Sequence, residues 1–227
     1  MHYFMQNDFF QLPHTGSIKR TFLQKNSSRW SFVAVLLSLA AATTHAQQLP
    51  PPPATSTTQS ANWATLVKQD ANLYRVDDKL YRSEQLTVQD AEAVKALGIK
   101  SVINLRYFNR RKNQTALLDK NLILLNRPLL TWDIRPQQIA EILHLIEQQQ
   151  TLGPVLIHCY HGADRTGLIA GMYRIIFQGW SMEDAKAEMQ QGPYGHHKVW
   201  KNIDRLFNEK TIEQVQAQLN QLREHSQ

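Results

Sequence analysis

From Trp63 to the C-terminus the chain reads as an α/β domain: a central, largely parallel, twisted sheet of about four to five strands with helices on both faces. Three observations predict it. Short strand candidates such as Ile99 to Leu105 (IKSVINL), which a polar, basic run follows, recur along the chain. Between them lie longer segments whose apolar residues recur at helical spacing, and this alternation is the pattern of a sheet covered on both sides. The third is the stretch Gly153 to Gly171 (GPVLIHCYHGADRTGLIAG), which passes from an apolar strand through a glycine-containing turn into a helix carrying Leu168, Ile169, Met172, Ile175 and Ile176. A turn of that kind collects backbone N–H groups at a helix N-terminus, where an anion is held.

Length and charge bound what surrounds this domain. At 227 residues with 42% hydrophobic content, the chain can bury one sizeable core and carry an extension. Four of its cations, Lys19, Arg20, Lys25 and Arg29, fall in the first thirty residues, so the net charge of +6 marks no basic face and nucleic acid is not a predicted partner. Residues 1–46 read as a signal peptide: a polar and basic stretch to Arg29, an apolar run from Phe32 to Ala42, and small residues Thr44 and Ala46 at a cleavage site. An uncleaved anchor is the alternative, but the run is short for a bilayer span, so no stable membrane insertion is expected after cleavage. The basic stretch is long and leaves open a translation start downstream of Met1; no cysteine stands at the cleavage site after the apolar run to accept a lipid. Residues 47–62, rich in Pro, Ser, Thr and Gln, read as a linker with polyproline II character at Pro50 to Pro53. The folded domain is predicted over 63–227.

Within it, Leu73 to Val76 and Lys79 to Arg82 flank Asp77-Asp78 as a short hairpin or two extended pieces. Thr87 is a plausible N-cap for a helix through Leu97, which Gly98 stops. Ile99 to Leu105 is a buried strand, followed by the basic run Arg106 to Asn113, a short helix near Gln114 to Lys120 and a strand at Leu122 to Leu125. Arg127 to Arg135 (RPLLTWDIR) reads as a loop, and Pro136 opens a helix to about Gln149. After the strand, turn and helix around Cys159, Ser181 caps a helix that Gly192-Pro193 ends. Two more helices are predicted, from about Val199 to Asn208 and from Thr211 to Glu224.

Cys159, the sole cysteine, closes the apolar run before the turn. A thiol becomes a nucleophile when its pKa is lowered, and helix N-termini and cations lower it. Inward-pointing N–H groups from Tyr160 to Arg165 would stabilise a thiolate in the free protein and phosphate oxygens in a complex. Arg165 offers a fork matched to two phosphoryl oxygens. Gly162 permits a positive φ in the tight turn, and Gly167 allows the helix a close approach. Thr166 is placed to donate its hydroxyl to the sulfur, while His158 orients the loop through backbone hydrogen bonds.

The run His158 to Gly167 (HCYHGADRTG) resembles the H-C-x5-R-[ST]-G signature of cysteine-dependent protein tyrosine and dual-specificity phosphatases. LYRSEQL at 80–86, SVINLR at 101–106 and GWSMEDAKAEM at 179–189 are similar to stretches of small bacterial dual-specificity-like members, so the resemblance covers most of Leu73 to Phe207. It implies a tyrosine-phosphatase-like fold and a metal-independent reaction without cofactor. Cys159 would attack phosphorus to give a phosphocysteine that water hydrolyses, with Tyr160, His161, Gly162, Ala163, Asp164, Arg165 and Thr166 forming the phosphate-binding loop. Tyr160 and His161 occupy loop positions that in the family face substrate. The family's general acid is an Asp on an upstream loop, and Asp133, beside Trp132, is the sole carboxylate of Arg127 to Arg135, although its surroundings lack the Trp-Pro-Asp pattern of larger tyrosine phosphatases. Asp164 competes for that role, because an Asp just before the loop Arg resembles myotubularin and Sac-type phosphoinositide phosphatases; alternatively it stiffens the loop.

The implied substrates are phosphotyrosine, phosphoserine or phosphothreonine in a protein, or a small anionic phosphoester, met by a monomer. Inositol phosphates are the alternative, kept open by Arg106 to Lys112 and weakened by a loop without lysine. His161, His196 and His197 with Cys159 match no common zinc spacing, and His196, His197 and Lys198 line the pocket rim or form a solvated loop. A rhodanese-type sulfurtransferase loop is shorter than the five residues between Cys159 and Arg165, which leaves a catalytically silent phosphate-binding module as the non-enzyme rival. One unpaired thiol in an exported, periplasmic or secreted chain is retained for chemistry and is predicted to be sensitive to peroxide.

Overall fold

The computed structural model describes residues 62–109, 111–117 and 121–226, so the predicted signal peptide and nearly all of the predicted linker lie outside the described residues. Six strands form one sheet: β1 (Thr65–Lys68), β2 (Leu73–Arg75), β3 (Leu80–Ser83), β4 (Ser101–Arg106), β5 (Ile123–Leu129) and β6 (Val155–His158), in the order β1-β2-β3-β6-β4-β5. The pairs β3–β6, β6–β4 and β4–β5 are parallel, whereas β1 and β2 are added antiparallel at one edge. The sheet therefore exceeds the expected four to five strands. The additional strand is β1, whose Thr65, Leu66 and Val67 are all exposed, so no buried face marks its sequence. A second difference is the length of β5, which continues through Arg127-Pro128-Leu129, residues read above as loop. Pro128 is tolerated because β5 is the sheet's other edge strand.

β6 lies at the centre, with Val155 to His158 in register against Leu80 to Ser83 on one side and Ser101 to Asn104 on the other. All four of its residues are buried, as the middle of a parallel sheet requires. Alternation along it divides the core. Val155 and Ile157 join the larger cluster formed with α3 (Pro136–Gln149), α4 (Asp164–Gln178), α5 (Met182–Gln191), α6 (Lys201–Asp204) and α7 (Glu209–Glu224). Leu156 joins the smaller one with α1 (Ala91–Ala96) and α2 (Lys112–Ala116).

Local chemistry sets the helix starts. Thr87 and Asp90 form a reciprocal capping box at the 3-10 turn that leads into α1, Pro136 occupies the first turn of α3, and Ser181 Oγ accepts from the Asp184 N–H at α5. The four parallel strands all end on the same side, where the segments 84–86, 107–109, 130–135 and 159–163 leave the sheet. Carboxyl ends of parallel strands are where α/β sheets place their ligand crevices.

Candidate active site

Cys159 is the first residue beyond β6 and is buried. Each of the next carbonyls is held from outside the loop. His158 Nδ1 lies 3.0 Å from the Cys159 oxygen, Gln85 N–H donates to that of Tyr160 at 3.1 Å, Asn72 Nδ2 to that of His161 at 2.8 Å, and Arg82 Nη2 to that of Gly162 at 2.8 Å. In a trans peptide the N–H points opposite the C=O, so carbonyls held outward turn the amides of Tyr160, His161, Gly162 and Ala163 inward. The turn needs glycine twice over at Gly162. Its φ is +70°, and a Cβ there would stand 2.6 Å from the Ser83 carbonyl carbon and oxygen. α4 then starts at Asp164 without a side-chain cap, leaving its first amides and its dipole to face an anion. Gly167 brings the first turn of α4 close to α5: a Cβ would meet Met189 Cγ at 2.6 Å.

Two arginines, Arg165 at its end and Arg82 on β3, neighbour this loop. Arg165 Nη1 reaches the carbonyls of Leu105 (3.4 Å) and Leu129 (3.3 Å), the ends of β4 and β5. Both bonds use one nitrogen of a five-donor group, so the rest of the fork remains for an oxyanion. Arg82 lies outside the signature run and enters the site from β3. Its guanidinium is 1% exposed, lies 3.8 Å over the Tyr194 ring and interacts electrostatically with Cys159; burial pushes its pKa down. The available signal was a charged residue inside the buried strand LYRS.

His158 takes the orienting part expected of it. The ring is fully buried, and burial, with Arg106 and Arg165 nearby, lowers its pKa to about 4, so it is neutral at pH 7 and carries no proton to substrate. Thr166 differs from expectation: its hydroxyl is buried but makes no hydrogen bond to Cys159 or to any other described residue.

The two carboxylates occupy different places. Asp164 is buried, its Oδ1 accepting from the His197 N–H and its Oδ2 2.8 Å from His197 Nδ1. His196, whose side chain is 4% exposed, lies 3.3 Å from both Asp164 and Asp204. The Asp164 side chain thus anchors the 196–197 segment to the start of α4, and only its backbone N–H is left for the cradle. Asp133 follows β5 in a turn closed by its own N–H to the Leu130 carbonyl, with its side chain half-exposed and 3.3 Å from Arg135. Leu129, at the base of that turn, is the residue whose carbonyl Arg165 holds, and Asn202 Nδ2 donates to Thr131 within it. The rim is aromatic: Tyr160 packs edge-on against His161, whose ring lies 5.1 Å from His197, and Arg106 covers the other side of Tyr160. Of His196, His197 and Lys198, the second borders the His161 ring, the His196 side chain lies between Asp164 and Asp204, and Lys198 is exposed. Among the described residues no three His, Cys, Asp or Glu side chains are grouped to hold a metal ion.

Known proteins resemble this chain in sequence and fold. A family model described as the tyrosine phosphatase family matches residues 69–223. The dual specificity protein phosphatase TpbA of Pseudomonas aeruginosa is 35% identical over 141 residues, covering 62% of this chain and 63% of its own length. The chain therefore spans just under two thirds of the curated relatives it matches. The crystal structure of P. aeruginosa TpbA superimposes with a TM-score of 0.65 at 29% identity, over 72% of this chain and 99% of that one, as does its cysteine-to-serine variant in complex with pTyr. The core catalytic domain of the S. cerevisiae PP-IP phosphatase SIW14 shares the fold, with a TM-score of 0.52 at 21% identity over 66% of this chain and 93% of its own. Since the family match runs from the turn after β1 through almost all of α7 and leaves no part of the Cys159 loop outside it, the chain belongs to the tyrosine phosphatase family.

Proposed function

We propose that this protein is an exported, cysteine-dependent phosphomonoesterase that hydrolyses phosphotyrosine, and phosphoserine or phosphothreonine at the same site. The observation that carries the reading is the loop itself, whose amides are turned inward over a buried thiol by four outward-held carbonyls. The Cys159 thiolate attacks phosphorus as the ester P–O bond breaks, and Asp133 protonates the departing oxygen. Asp133 then takes a proton from the water that attacks the phosphocysteine, which releases phosphate and restores the thiolate. Arg165 and the loop amides hold the non-bridging oxygens through both steps. The anchoring of Asp164 by His197 favours Asp133 as the acid. An aryl ester as substrate is supported by the relative crystallised with pTyr. Export is supported by the order of basic, apolar and small residues in 1–46.

Release of p-nitrophenol from p-nitrophenyl phosphate tests the reaction. Turnover by wild type in the presence of EDTA, and none by Cys159→Ser, is expected; binding of phosphate without turnover identifies a silent module instead. A panel of phosphopeptides and inositol phosphates ranks the substrates, and preference for the inositol phosphates overturns the substrate assignment. Full-length protein recovered from the cytoplasm with residues 1–46 intact overturns export.

A further inference from the structure

A chain of side chains leads into the Cys159 loop from the far side of the sheet's carboxyl end. Arg106 Nη1 lies 2.7 Å from Gln85 Oε1, Gln85 Nε2 lies 2.8 Å from Asn113 Oδ1, Asn113 Nδ2 lies 2.8 Å from His158 Nε2, and His158 Nδ1 lies 3.0 Å from the Cys159 carbonyl. The directions of these bonds follow from the two ends. Arginine donates only, so the Gln85 atom facing it is the carbonyl oxygen and the Gln85 amide nitrogen faces Asn113. That nitrogen donates, so it meets the Asn113 oxygen, and Asn113 turns its own NH2 to His158. His158 Nε2 must therefore present a lone pair. The ring's one proton sits on Nδ1, where the Cys159 carbonyl, which accepts only, receives it.

We propose that Asn113, oriented by Gln85 and Arg106, is a positioning residue for Cys159: it fixes the His158 proton on Nδ1 and thereby the direction of the first loop peptide. With the Cys159 carbonyl held, the Tyr160 N–H points the opposite way, into the cradle. Gln85 fixes the next peptide as well, because its backbone N–H holds the Tyr160 carbonyl at 3.1 Å. Full burial of the ring and its lowered pKa keep a second proton off Nε2, where Asn113 offers no acceptor. The effect on catalysis rests on the phosphatase reading; the proton arrangement does not.

Two measurements on the full-length protein test this. Imidazole nitrogen NMR shifts at pH 7, assigned to His158 by comparison with His158→Gln, should show a protonated Nδ1 and a bare Nε2. A proton on Nε2, alone or with Nδ1, overturns the proposal. The second compares Asn113→Asp with Asn113→Ala. A carboxylate cannot donate to Nε2 and draws the proton onto it, whereas alanine only withdraws a partner. Asp, although closer in shape, should lower kcat/KM on p-nitrophenyl phosphate by about 100-fold, mostly in kcat, and by more than Ala. Activity of Asn113→Asp equal to wild type, or above Asn113→Ala, refutes the positioning role, because packing alone would favour the isostere. If wild type itself turns nothing over, the phosphatase reading fails while the NMR result still decides the proton.

Discussion

Replacing His158 by asparagine should flatten the acid side of this protein's stability curve. The imidazole is 0% exposed and titrates near 4 in the folded protein against 6.5 ordinarily, chiefly because burial penalises the cation and secondarily because Arg106 and Arg165 repel it. Above pH 6.5 the ring is neutral in folded and unfolded chains alike, and the full contribution is present. Between 6.5 and about 4 the unfolded chain binds the proton and the native protein does not, so stability falls as pH falls, and below about 4 the loss levels off. At about 1.36 kcal/mol per pH unit, the interval corresponds to a loss of roughly 3 kcal/mol, undiminished by solvent screening because the ring is enclosed. Urea unfolding followed by tryptophan fluorescence, from neutral pH down to about pH 4, measures it. The carboxylates and His161 titrate in both proteins and cancel in the comparison. His158→Asn should be the less stable protein at neutral pH, with the gap narrowing by about 3 kcal/mol at the acid end. Parallel curves would show that His158 is either not buried or not neutral, and the orientation of the Cys159 loop described above would lose its basis.

Asp133→Asn should slow hydrolysis of alkyl phosphates by about 100-fold or more while changing nitrophenyl phosphate little, since only a poor leaving group needs the proton; a rate series over leaving groups of graded pKa checks it, and the same selective loss in Asp164→Asn would move the acid there. Gly162→Ala should abolish turnover and lower the melting temperature, because the left-handed backbone costs about 1–2 kcal/mol with a side chain and the added Cβ strikes Ser83 and Glu84 backbone. Glu188 receives two bonds from Arg174, both at 2.9 Å, with both side chains 4% exposed, and also holds the Ala64 N–H and Tyr194 hydroxyl. Glu188→Ala leaves a buried guanidinium unpaired, at about 3–5 kcal/mol, and should lower Tm by roughly 10 °C in calorimetry with little change in turnover per folded molecule.

The legibility of the fold follows burial. β6 is enclosed on both faces, so Val155 to Ile157 form a continuous apolar run that declares itself, and β4 shows the same burial through Val102, Ile103 and Leu105. β1 is held by pairing with β2 alone and buries almost nothing, and backbone pairing leaves no mark on residue type. The end of β5 is hidden for the same reason, its Pro128 being harmless only because no strand lies beyond it. The order of strands is likewise absent from local pattern: that β6 runs between β3 and β4 is decided by which apolar faces meet across the sheet.

The site divides along a different line. Cys159, Gly162 and Arg165 are contiguous and each has a conformational or chemical requirement that restricts residue type, so they are readable in a single chain. The groups that give the loop its direction come from elsewhere: Asn72 after a 3-10 turn, Arg82 in β3, Gln85 beyond β3 and Asn113 on a five-residue helix. An asparagine or glutamine in a polar segment has no distinctive neighbours, and its amide becomes informative only when its partner is known. Arg82 is the exception, because a cation in the middle of a fully buried strand has to be explained by something that neutralises or uses its charge. Neither of its nearest partners, the Gly162 carbonyl and the Tyr194 ring, carries a formal charge. The groups that favour its charge through space are Tyr194, then Glu188 and, more weakly, Cys159, so one buried cation links the Glu188 network to a nucleophile 77 positions later in the chain.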